Sequence, residues 1–169
     1  MATGWTSEVL GGMYENRFHI GIVRGKPNWN GMAIRLFADQ FYLVDREIWS
    51  LDQLIHADRP FIQFKSDSTY SLHIQQWWHE RFRTMPVRTV MVDQIETCKQ
   101  LAYHGVGYAI LPEMALDDRE QHRVHLIPLK NKHGEWMTRD TWLISSETAW
   151  SLPQVQSFWK VLRQFSPLS

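Results

Sequence analysis

The sequence predicts an α/β fold, and three observations carry that expectation. Short runs rich in β-branched and aromatic residues alternate with segments whose apolar residues recur at helical spacing. The clearest instance is residues 90–112, which read as strand, helix and strand in succession. The chain is also apolar enough to cover both faces of a sheet, with 44% hydrophobic residues and nine Trp among 169. That length suits one domain, or two small lobes sharing one chain.

The elements follow in order. Thr6 or Ser7 can cap a short helix that presents Val9, Leu10 and Met13 on one face and runs to about Asn16. Residues 18–23 form a buried strand, ended by Arg24 and Gly25. Two further strands, 33–37 and 40–45, lie either side of Ala38 and Asp39. Ser50 to Gln53 has capping-box spacing for a short helix. After a strand at 61–64, Ser66, Asp67 and Ser68 offer caps for a helix through Phe82. Its apolar side holds Leu72, Ile74, Trp77, Trp78 and Phe82, with one of the paired Trp rings expected in the core and one at a surface.

Residues 87–92 then give a strand. Ile95, Cys98, Leu101 and Ala102 mark a helix to His104, and Gly105 suits a left-handed C-cap. Strands at 106–111, 124–127 and 141–145 follow, with a turn at 130–134. Ser151 to Gln154 opens a last helix striped with Val155, Phe158, Trp159 and Leu162. Such alternation implies βαβ units and a mostly parallel sheet with helices on both faces.

Charge and composition exclude several functions. Lys plus Arg equals Asp plus Glu at 18 each, and the clustered basic residues are only Arg81 with Arg83 and Lys130 with Lys132. Direct nucleic-acid binding needs a basic face that this balance does not supply. A single cysteine, Cys98, precludes an internal disulfide, and its place on an apolar helical face marks a core thiol. No apolar stretch reaches membrane-spanning length and the first residues lack a signal-peptide pattern, so a cytoplasmic protein is expected. The eight histidines include no helical His-x-x-x-His pair. His122 and His125 fall on a strand that would point them apart, so no metal and no cofactor is expected. Nucleophile-elbow, phosphate-loop and dinucleotide motifs are missing, which argues against an enzyme.

In open parallel sheets ligands bind beyond the carboxyl ends of the strands, where helix N-termini also point. That rule selects Arg24, the segment 65–69 and the segment 93–97. A guanidinium at Arg24 suits a two-pronged grip on a carboxylate or phosphate, and the plainer alternative is a surface ion pair. Lys65, Ser66, Ser68 and Thr69 place a cation, hydroxyls and helix N–H groups where an anion could sit. Capping alone would also explain the serines. Asp93 and Glu96 fit equally well as acidic residues that favour a helix's first turn.

Residues 90–112 resemble the second-lobe signature of LysR-type transcription regulators, in which strand and helix lead to a Gly-x-Gly turn, an apolar strand and a proline. Residues 10–24, the helix starting at Leu51, and Thr141 through Phe165 are similar to further elements of that family in matching order. The resemblance implies the effector-binding domain, a two-lobed periplasmic-binding-protein-like fold of type II. Regulatory lobe I would span 1–46 and 140–169 and lobe II 47–139, with crossovers near 45–48 and 138–140.

The family's winged helix-turn-helix, its linker helix and the opening strand-helix-strand of lobe I are not among these residues, so lobe I is expected to be N-terminally truncated. A small-molecule effector, a carboxylate or other anion, is implied in the interlobe cleft. Ile95 and Glu96 are implied to line it, and so are Thr3, Trp5 and Thr6 at the matching edge of lobe I. The resemblance also implies a homo-oligomer, a dimer or tetramer in the full-length regulator. DNA would be bound only through the missing domain, and no membrane is involved. A solute-binding protein of a transport system shares the same architecture and is the alternative.

Overall fold

Two long strands carry the chain between two compact units, residues 1–38 with 139–169 and residues 39–138. The computed structural model describes residues 3–66, 68–116 and 124–165, with residues 68, 69 and 165 described by backbone alone. In the first unit α1 (Thr6–Tyr14) precedes β1 (Ile20–Arg24), and the chain enters β2 (Met32–Asp45). It returns on β7 (Thr138–Ser145) and ends in α5 (Glu147–Trp150) and α6 (Pro153–Phe165). The second unit holds the far half of β2, then α2 (Leu51–Leu54), β3 (Phe61–Phe64), α3 (Ser68–Phe82), β4 (Thr89–Val92), α4 (Ile95–Tyr103), β5 (Tyr108–Pro112) and β6 (His125–Pro128). The first passage between units falls inside β2, ahead of the segment 45–48 named from the sequence.

The first unit orders its strands β1-β7-β2. β1 runs antiparallel to β7, with Ile20 opposite Ser145 and Arg24 opposite Thr141. Its core is small: Met13, Val23 and Ile144 are buried, with Val9, Leu10, Phe18, Trp29 and Trp142 packed around them. α1 can lie this close to β1 because Gly21 has no side chain, and a Cβ there would press on Val9 and Ile144.

The second unit orders its strands β6-β2-β5-β3-β4. β3 is parallel to both β4 and β5, while β2 is antiparallel to β5 and β6. The sheet is therefore mixed and not mostly parallel as the alternation suggested. Parallel pairing needs a crossover helix, which α3 and α4 supply around β3; the antiparallel pairs β1–β7, β2–β5 and β2–β6 join segments far apart in the sequence. Phe41, Leu43, Phe61, Ile62, Ile74, Trp77, Trp78, Cys98, Ala102 and residues 108–111 fill one continuous core.

Several local expectations are corrected. The pieces 33–37 and 40–45 are one 14-residue strand. Trp77 and Trp78 are both buried, whereas Leu72 is 58% exposed. Trp5, not Thr6 or Ser7, caps α1. Ser50 caps α2 without a side-chain bond, and Gln53 Oε1 instead accepts from the Trp49 N–H at 3.0 Å. A short helix at 147–150, capped by Ser146 Oγ accepting from Ala149 N–H, precedes the last one. Gly105 takes the expected left-handed turn after α4, with φ 76°. Among the described residues no helix is long and apolar enough to cross a membrane.

Candidate functional site

In the first unit the candidate residues meet where α1 starts and β1 ends. The Trp5 N–H donates to Glu8 Oε2 at 2.8 Å, and the Glu8 carboxylate folds back over Gly4, space that a side chain at Gly4 would fill. Thr6 begins the helix, and its hydroxyl accepts from the Arg24 N–H at 3.3 Å and lies 3.4 Å from the Arg24 carbonyl. Gly25, at φ 81°, then turns the chain away, with its N–H bonded to the Asp140 carbonyl at 2.8 Å. The Arg24 side chain alternates with buried Val23 and points to the exposed face. It has no carboxylate partner among the described residues. Trp5 remains 39% exposed, and Thr3 is exposed just before it. Trp5, Thr6 and Arg24 are thus gathered at one end of the unit, and Thr3 lies at its margin.

In the second unit the candidates come from neighbouring parallel strands. Phe64 pairs with Val92, and the Lys65 N–H donates to the Val92 carbonyl at 2.7 Å. The segments after β3 and β4 therefore leave the sheet side by side. Lys65 is exposed, Ser66 is half-buried, and Ser68 with Thr69 forms the first turn of α3. Asp67 lies outside the described residues.

Ile95 opens α4 and packs against the core. Glu96 is exposed and committed to its own helix, 2.9 Å from Lys99 Nζ and accepting from Gln100 Nε2 at 3.0 Å. The acidic-turn reading accounts for Glu96 without a ligand.

Chemically, the described residues offer cations, hydroxyls and helix N-termini. Among the described residues no group of three His, Cys, Asp or Glu could hold a metal ion. His125 is exposed at the start of β6, and His122 lies outside the described residues. Cys98 is fully buried, its Sγ donating to the Ile62 carbonyl at 3.2 Å. Burial pushes its pKa up to about 12, with a backbone hydrogen bond at Phe64 pulling slightly the other way, so it is no nucleophile.

Two groups were not anticipated. Glu8 is legible as a first-turn acid, but only Gly4 lets it reach back to Trp5. Asp45 and Arg59 form an enclosed ion pair in the second unit, and no sequence motif announces a pair 14 residues apart.

The fold is that of bacterial regulatory domains of the periplasmic-binding-protein-like kind. The regulatory domain of HypT from Salmonella typhimurium, in its bromide-bound form, superposes with a TM-score of 0.75 at 18% identity, over 96% of this chain and 79% of that one. The BenM effector binding domain with its effector benzoate gives 0.70 at 14% identity, over 96% and 75%. At those identities the likeness concerns fold alone.

In sequence, the model of the LysR substrate binding domain matches residues 1–167, and the chain belongs to that family. The HTH-type transcriptional regulator YkuM of Bacillus subtilis (strain 168) is 51% identical over 163 residues, which is 96% of this chain and 55% of YkuM. The chain spans about half the length of the curated relatives it matches.

Proposed function

We propose that this chain is the sensing part of a LysR-type transcription regulator and binds a small anionic metabolite, most simply a carboxylate, in the cleft between two lobes. The two compact units are taken as those lobes. Residues Trp5, Thr6 and Arg24 serve the first, with Thr3 at its edge. Lys65, Ser66, Ser68, Thr69 and Ile95 serve the second. Glu96, being an acid paired with Lys99, shapes that edge without touching the anion.

The observation that carries the reading is the Arg24 guanidinium, exposed and without a carboxylate among the described residues, at the end of a strand whose backbone Thr6 fastens. Solved domains of the same fold hold benzoate in one case and bromide in another, both anions. Relatives named as transcriptional regulators favour this reading over a transport protein. In the whole protein, effector binding acts on a helix-turn-helix domain beyond these residues, in a homo-oligomer. A ligand shifts such an equilibrium only by its differential affinity for the two states.

A thermal-shift panel of small carboxylates and their neutral amides tests this. A saturating hit at about 100 times its Kd stabilises by roughly 2.7 kcal/mol. We expect carboxylates to give that gain and Arg24→Ala to lose it. A hit set of neutral apolar compounds, indifferent to Arg24, would overturn the anion reading.

A further inference from the structure

At the opposite end of β3 from Lys65, the second unit encloses a cavity of about 350 Å³, within the range of roughly 300–1,000 Å³ usual for small-ligand pockets. Its floor is aromatic. Trp78 and Tyr108 are 5% and 3% exposed and stack with ring centres 5.9 Å apart and planes 13° from parallel. Phe82 stands against Trp78 at 5.0 Å. The rim carries three arginines, Arg59, Arg81 and Arg88, against one carboxylate, Asp58.

Two of these cations are already committed. Arg59 is held by Asp45 and Glu47, each at 2.9 Å, and Arg88 by Asp58 at 2.6 Å. Arg81 is not: its guanidinium lies 5.9 Å from the centre of the Phe82 ring and pairs with no carboxylate among the described residues. The adjoining wall leaves Met85 and Val87 at 50% and 99% exposure, apolar surface that an occupant could share.

We propose that this cavity is a second small-molecule site, separate from the one around Arg24, and that it takes an amphipathic monocarboxylate. The hydrocarbon or aryl part lies on the Trp78–Tyr108 stack, where burial of apolar area drives binding. The carboxylate meets Arg81, whose planar fork accommodates two parallel hydrogen bonds. An inorganic anion fits poorly because the floor offers it only ring faces and edges. A neutral apolar molecule would leave Arg81 without its counter-charge.

Calorimetric titration with octanoate and octanamide, followed in parallel by tryptophan fluorescence, tests the proposal. With the first site removed by Arg24→Ala, we expect saturable octanoate binding at one site, with tryptophan emission perturbed. In that background Arg81→Gln should weaken it about tenfold, to the level at which octanamide binds without the second change. Thr84→Trp, which fills the mouth from an exposed position, should abolish binding. The proposal is overturned by an absence of saturable binding in R24A, or by affinity that survives both R81Q and T84W.

Discussion

The Thr6 hydroxyl lies 3.3 Å from the backbone nitrogen of Arg24 and 3.4 Å from its carbonyl oxygen, so one side chain at the start of α1 fastens both polar groups of the residue that ends β1. The Arg24 side chain itself stays in solvent. Fixing its base lowers the conformational entropy an anion must overcome on binding.

Thr6→Val is nearly isosteric and removes that fastening. We expect it to weaken carboxylate binding about tenfold, near 1.4 kcal/mol, while Arg24→Ala removes binding altogether. Titration of both variants with the best carboxylate of the panel separates the roles. Wild-type affinity in T6V would mean that the hydroxyl does not position Arg24.

A second prediction concerns the junction of β2, α2 and β3. The Asp45 side chain is wholly enclosed. Its Oδ1 accepts from the N–H groups of Glu47 and Ile48, and its Oδ2 accepts from Arg59 Nε at 2.9 Å. Arg59 also donates to the Gly105 carbonyl at 3.0 Å, tying in the turn after α4. Arg59→Met leaves a buried carboxylate without its cation and should cost about 3–5 kcal/mol in urea unfolding. Adding Asp45→Asn should cost less than the sum of the single changes, because the pair acts as a unit. Strict additivity would refute the coupling.

How far these features were legible depends on the range of the interactions behind them. β3, α4 and the Gly105 turn were readable because periodicity and capping are local signals. Ala38 and Asp39 looked like a break in β2, yet Asp39 sits buried in the strand and accepts from the Met114 N–H, 75 residues away. The paired Trp77 and Trp78 read as one core ring and one surface ring, but the Trp77 indole N–H donates to the Lys130 carbonyl at 2.9 Å and both rings are covered. Strand direction was misjudged for the same reason, since it is fixed by partners distant in sequence. At the candidate site, the strand ends were predictable from topology. The pairing of Glu96 with Lys99, and the lack of a carboxylate beside Arg24 among the described residues, depend on rotamers and neighbours that no spacing rule supplies.

The Gly-x-Gly turn yields a third prediction, because its two glycines do different work. Gly105 supplies the positive φ, whereas Gly107 lies so close to the Pro60 carbonyl that a Cβ would collide with backbone. Pro60 immediately precedes β3, and its carbonyl accepts from the Tyr108 N–H at 3.1 Å, so neither chain can withdraw cheaply. Gly107→Ala should therefore lower stability by roughly 1–3 kcal/mol, the usual cost of overpacking. A melting temperature unchanged from wild type would show that the β3–β5 start yields freely.

The last prediction uses the buried thiol. Cys98 titrates near pH 12 in the folded chain against about 9 for an exposed thiol, chiefly because burial disfavours the thiolate. The folded state therefore keeps a proton that the unfolded state releases. The associated stability is complete below pH 9 and is lost as pH rises from 9 to 12, at up to about 1.4 kcal/mol per pH unit. Burial raises the Tyr108 hydroxyl in the same direction, helped by the negative charge of Asp45, and raises that of Tyr42 too, so Cys98 is one of several sources of the wild-type loss. Cys98→Ala removes one of them. Its unfolding free energy should be lower than wild type at pH 8, because a core side chain is trimmed, yet fall by about 2 kcal/mol less between pH 9 and 11. Iodoacetamide should leave the native thiol unmodified at pH 8 and label it fully in urea. Rapid native labelling, or parallel pH profiles for the two proteins, would place the thiol in contact with solvent and refute its burial.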